Sequence, residues 1–136
     1  MKKVLFVCTG NTCRSPMAMA LFNDYAKKNN IDAVADSAGV AAAKGMPASA
    51  NSISVLNEIG IDLSDYKSKP ISKDLLNSAD LVVCMSKGHC EMLDAAGYSS
   101  VVFGQGIADP YGFPVDVYRD CREKMLNAMS GLVKLL

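Results

Sequence analysis

The stretch that most constrains this chain is Val4-Leu5-Phe6-Val7-Cys8-Thr9-Gly10-Asn11-Thr12-Cys13-Arg14-Ser15-Pro16. Four apolar residues run without a polar break, which suits a strand covered on both faces. A glycine-bearing turn follows. Ser15-Pro16 then stands where a helical pattern begins, with Pro16 expected at the first helical position, where a missing N–H is tolerated. A strand, a tight turn and a helix N-terminus gather backbone N–H groups and the positive end of a helix dipole around an anion. Cys8 ends the strand and Arg14 returns six residues later, so a thiol and a guanidinium face one oxyanion pocket.

These residue types suit phosphoryl chemistry. A free thiol has a pKa of about 8.5, and a helix N-terminus with a nearby Arg lowers it by up to several units, giving a thiolate nucleophile. The planar fork of Arg14 matches two phosphoryl oxygens. Ser15 is placed to donate its hydroxyl to the sulfur, and the Asn11 amide to bridge groups across the turn. Thr9, Gly10, Asn11, Thr12, Cys13, Arg14 and Ser15 therefore form the expected binding set for inorganic phosphate or another oxyanion.

Cys8 to Pro16 resembles the phosphate-binding loop, C-x5-R-S, of the low-molecular-weight protein tyrosine phosphatases. The alternative for the same residues is a structural cysteine before an ordinary strand-to-helix turn. The likeness extends to Ala79–Met85, to Tyr118 and to Asp109-Pro110-Tyr111-Gly112. By that resemblance Cys8 is the nucleophile, Arg14 holds the phosphoryl group and Asp109 is acid, then base, around a cysteinyl-phosphate. A positioned acid must protonate the leaving atom in any such displacement. Pro110 holds Asp109 extended, and the nearby glycines let the loop cross the pocket mouth. Loop amides and Arg14 supply the positive charge, so no metal or cofactor is expected. The implied substrate is a phosphorylated protein.

Two residues bear on which phosphorylated side chain. Members specific for phosphotyrosine usually carry a bulky aliphatic residue where this chain has Thr12. A threonine there resembles the bacterial protein arginine phosphatase branch, as does Met85-Ser86 with His89. Tyr111 suits an aromatic-walled slot for either group, so both substrates stay open, as does a Thr12 with no selective role. Cys13 is open too: a redox partner that protects Cys8 through a reversible disulfide, or a buried loop residue. Ser86, where the family commonly has aspartate, and a short loop before Asp109 put the pocket rim in question. A thioredoxin-coupled arsenate reductase with Cys84 and Cys90 as relay thiols is the alternative enzyme. A non-catalytic phosphoprotein-binding module is the alternative outside catalysis, although Cys8, Arg14 and Asp109 are all retained.

The 136 residues suffice for one domain, residues 1–136, with half the composition apolar. A formal net charge of zero argues against a nucleic-acid or membrane surface, and no run approaches a membrane span. The apolar run after Met1-Lys2-Lys3 is too short for a secretory leader, so a cytoplasmic protein is expected. Five cysteines fit reduced thiols better than a disulfide framework. With His89 the only histidine and no C-x2-C pair, zinc and a Cys-His protease are poor fits. Oligomeric state is not legible.

Strand and helix patterns alternate along the chain. Strands are expected at Val4–Val7, Ile31–Asp36 (closed by Ser37-Ala38-Gly39), Leu81–Met85 and Ser100–Phe103. Between and after them come helices from Pro16 to about Lys28, at Ala48–Glu58, after a Ser72 cap, from Ser86 to Asp94 and at Val115–Leu135. The last helix is expected to bury Val117, Cys121, Met125, Ala128, Leu132 and Leu135, and Cys84 to sit in the core. The alternation predicts an α/β three-layer sandwich with a four-stranded parallel sheet in the order 2-1-3-4, the flavodoxin-like phosphatase fold of the family. That order sets the cysteine loop at a topological switch point beyond the first strand.

Overall fold

The computed structural model describes residues 1–136. The elements run β1 (Lys2–Cys8), α1 (Arg14–Lys28), β2 (Ala33–Gly39), α2 (Ala50–Asn57), α3 (Lys73–Ser78), β3 (Leu81–Cys84), α4 (Lys87–Ala95), β4 (Val101–Val102) and α5 (Val115–Val133). All strands are parallel and lie in the order β2-β1-β3-β4, as the alternation predicts. The first connection leaves β1 for β2 and the next returns past β1 to β3. The carboxyl end of β1 therefore opens into a crevice between divergent connections.

Alternation along β1 divides the core. Val4, Phe6 and Cys8 join a cluster of 24 buried residues under α1, α2 and α5, whereas Leu5 and Val7 join 7 under α3 and α4. The larger face carries most of the apolar burial, at roughly 25 cal/mol per Å² removed from water. At its centre Phe6 meets Phe22 edge-on at 5.9 Å and Phe103 at 5.4 Å. Cys8 thus ends a strand whose last five residues are all buried, and is itself 2% exposed.

Several local expectations shift. Pro16 is the third residue of α1, not the first, because the helix already starts at Arg14; its missing N–H still falls among the unpaired donors of the first turn. β2 starts at Ala33, since the Ile31 N–H closes the end of α1 on the Ala26 carbonyl. It continues through Ser37-Ala38-Gly39, which pair with Phe6, Val7 and Cys8. α2 begins after Ser49, whose hydroxyl accepts from the Ser52 N–H. On α5 the buried stripe is Tyr118, Cys121, Met125, Met129 and Leu132, a 3-4-4-3 spacing that holds to the helical period. Val117 and Ala128 are only half-buried, and Leu135 lies beyond the helix end and is exposed.

β2 is an edge strand, yet its outward N–H groups are all occupied from within. Ala33 donates to the Ile31 carbonyl, Ser37 to the Asp36 carboxylate and Gly39 to the Lys69 carbonyl. Asn23 of α1 meets Ala35 as a strand would, its amide accepting from the N–H at 2.8 Å and donating to the carbonyl at 3.1 Å.

Candidate active site

Three helices start with a serine hydroxyl on their first-turn amides: Ser49, Ser72 and Ser86. α1 does not. Cys13 stands at its start with no side-chain cap, and the N–H groups of Gly10, Thr12 and Cys13 have no partner in the chain. These donors and the helix dipole remain free for an anion. Residues Cys8 to Arg14, with Asp109 and Tyr111, enclose a pocket of about 170 Å³, the size of a small oxyanion with its first attached atoms. The sequence-designated residues are thereby brought together. Thr9 and Gly10 are exposed at the rim, Thr12 is half-buried, and Arg14 is 7% exposed.

Loop shape is fixed by Asn11, wholly buried with φ 58°. Its Oδ1 accepts from the Lys69 N–H at 2.9 Å and from the Tyr66 hydroxyl at 2.5 Å. A backbone N–H can only donate, so the amide orientation is determined. Nδ2 must then donate to Ser15 Oγ at 2.8 Å and Ser37 Oγ at 3.1 Å. The proton of Ser15 is left for Cys8 Sγ, 2.8 Å away, where the Asn11 N–H also points at 3.3 Å. Two donors thus converge on the sulfur. Burial pushes the Tyr66 phenol up to about 12, so it stays a proton donor at the head of this chain.

Opposite the loop, Arg14 is tethered by Nη1 to the Ile107 carbonyl at 3.1 Å, leaving Nη2 3.7 Å from the Asp109 carboxylate. The segment before Asp109 is held by the Ile107 N–H on the Met85 carbonyl and the Phe103 N–H on the Cys84 carbonyl. Asp109 itself is about half exposed, and its Oδ1 accepts the Tyr111 N–H. A nucleophile, an oxyanion cradle and a carboxylate at the mouth are therefore in one place. Such a set can displace a group from phosphorus in line and exchange a proton with it.

The remaining cysteines fall elsewhere. Cys13 is buried, with its sulfur 3.5 Å from the Tyr118 hydroxyl. Cys84 is fully buried on the sheet face shared with Val7, opposite that of Cys8, and burial pushes its thiol up to about 12. A relay thiol needs access to the nucleophile and an available thiolate, and Cys84 has neither. Tyr66, Ser37 and Lys69 were not designated from sequence. Tyr66 and Lys69 lie in a loop that carries no motif, and Ser37, in β2, left a trace only in the Ser37-Ala38-Gly39 turn signal.

The α/β architecture and the thiol-guanidinium loop at a switch point define a cysteine-dependent phosphatase-type site. The family model for low molecular weight phosphotyrosine protein phosphatase matches residues 3–136. The chain belongs to that family. It is 35% identical to the protein-arginine-phosphatase of Bacillus subtilis (strain 168), over 98% of this chain and 95% of that protein. The crystal structure of a low molecular weight protein tyrosine phosphatase from T. tengcongensis superposes with a TM-score of 0.93, at 39% identity and over 100% of both chains. A structure of the YwlE arginine phosphatase, in which a serine introduced for an active-site cysteine is phosphorylated, matches with a TM-score of 0.91 at 34% identity, over 98% of this chain and 95% of that one.

Proposed function

We propose that this chain removes the phosphoryl group from phosphoarginine in cytoplasmic proteins, through a cysteinyl-phosphate on Cys8. The observation that carries the chemistry is the oriented donor chain from Tyr66 and Lys69 through Asn11 and Ser15 onto Cys8. Loop amides and Arg14 hold the phosphoryl oxygens. The Cys8 thiolate forms the S–P bond as the bond from phosphorus to the leaving nitrogen breaks, and Asp109 gives that nitrogen a proton. Asp109, now ionised, takes a proton from water as the water attacks phosphorus, which releases inorganic phosphate and regenerates the thiolate. The relative whose phosphorylated active-site serine was captured supports a covalent intermediate.

The substrate assignment rests on Thr12. It lines the pocket with Asp109, so a hydroxyl and a carboxylate border the space a guanidinium would fill, while the named arginine phosphatase is similar over nearly its whole length. Phosphotyrosine is the second reading, favoured by Tyr111, an aromatic ring 73% exposed at the pocket mouth. No helix of the chain is long and apolar enough to cross a membrane, which accords with a cytoplasmic site of action.

The test is kcat/KM on phosphoarginine and phosphotyrosine peptides of one sequence, under reducing conditions. At least a tenfold preference for phosphoarginine is expected. The reverse preference would overturn the substrate assignment and leave the chemistry standing. Cys8→Ser should abolish turnover while phosphate binding persists; retained turnover would overturn the covalent scheme.

A further inference from the structure

His89 is the only histidine in the chain. It stands in the first turn of α4, 6% exposed, and bridges two elements. Nε2 lies 2.9 Å from the Thr9 hydroxyl of the cysteine loop, and Nδ1 lies 2.9 Å from the Ser86 hydroxyl at the helix start. Both ring nitrogens therefore meet hydroxyls. A hydroxyl rotates, so each partner can donate to a bare nitrogen or accept from an N–H. The ring can change protonation state without moving a heavy atom.

The charges around the ring come from two other elements. Arg14 of α1 disfavours a second cation, and Asp109 ahead of α5 favours it. On its own helix Lys87 is exposed. In the free protein burial, and then Arg14, hold the imidazole below its ordinary value of 6.5 and keep it neutral near pH 7. A dianion on the loop would offset the Arg14 charge beside Thr9, and the balance would reverse.

We propose that His89 is a positioning residue for the phosphoryl group, taking up one proton from solvent when a dianionic oxyanion occupies the loop. The proton adds to the ring nitrogen that was bare, and no other bond changes. Both N–H groups then donate, to Thr9 and to Ser86. The Thr9 hydroxyl, which now only accepts from the ring, turns its own proton toward the oxyanion. This rests on the assignment of the loop as the phosphoryl site.

Inorganic sulfate is the suitable probe, because it stays dianionic across the range in which the ring titrates. The Cε1–H resonance of the single histidine is followed by NMR against pH, with saturating sulfate and with sodium chloride at equal ionic strength. Amide shifts of Gly10 and Thr12 report occupancy of the loop. The midpoint is expected to rise by about one pH unit or more, so that sulfate binds about tenfold more tightly below the transition than above it. An unchanged midpoint with shifted loop amides would overturn the proposal. Unshifted loop amides at saturating sulfate would instead overturn the phosphoryl-site assignment. In His89→Asn, sulfate affinity should lose its pH dependence; a dependence equal to that of the parent protein would also defeat the proposal.

Discussion

Asn11 adopts a left-handed backbone that few residues other than glycine accept, and a short amide side chain tolerates it by bonding locally. Here the amide spends all its capacity: two acceptances from Lys69 and Tyr66, two donations to Ser15 and Ser37. The nucleophile's environment is therefore set by a side chain whose four hydrogen bonds all go to other parts of the protein. Tyr66→Phe removes one donor and leaves an acceptor on Asn11 half satisfied, at about 1–1.5 kcal/mol. Carried through Asn11 and Ser15 to the nucleophile, that loss lowers kcat/KM about tenfold. A fall in Tm with unchanged kcat/KM would limit Tyr66 to a structural role.

At the scale of elements, much was legible because the signals are local. The β1 run, the Ser72 and Ser86 caps and the Cys8-to-Arg14 spacing each lie within a few residues of what they specify. What escaped depends on chain brought from afar. Gly39 shows the difference: its Ser37-Ala38-Gly39 context reads as a strand end, yet its function is to let β2 touch the cysteine loop. A Cβ there would overlap the Thr9 carbonyl and lie 2.8 Å from Ala42 Cβ and 3.0 Å from Asn11 Cβ. Backbone cannot yield as a flexible side chain does, so Gly39→Ala should displace the loop and cost about 1–3 kcal/mol. Calorimetry with inorganic phosphate should show affinity reduced at least tenfold while far-UV circular dichroism is preserved. Unchanged affinity would mean that the loop does not depend on this contact. His89 was likewise visible as a residue, but its reach to Thr9, 80 positions away, was not.

For the molecule as a whole, α2 and α5 are tied by charge as well as by packing. Glu58, at the end of α2, accepts from Arg119 and Arg122 of α5, and Arg122 also donates to the Val55 carbonyl. Hydrogen bonds from Arg119, then Arg122, lower the Glu58 carboxyl from its ordinary 4.5 to about 2. The folded value lies below the unfolded one. The stabilisation is therefore complete above about pH 4.5 and is lost as pH falls toward 2. Glu58→Gln should lower Tm at pH 7, with the gap to the parent protein closing across that acid window. A gap constant from pH 7 to 2.5 would show that the ion pairs contribute nothing pH-dependent.

The occupied edge of β2 bears on how this enzyme meets its substrates. With Asn23, Asp36 and Lys69 already engaging the outward backbone, no extended peptide can lengthen the sheet on that side. Main-chain pairing is the usual means by which a sheet protein grips a strand irrespective of its side chains. Along that edge, contact with a target is left to side chains. What that side of the molecule can read in a target is therefore charge and shape, and not the backbone of an added strand.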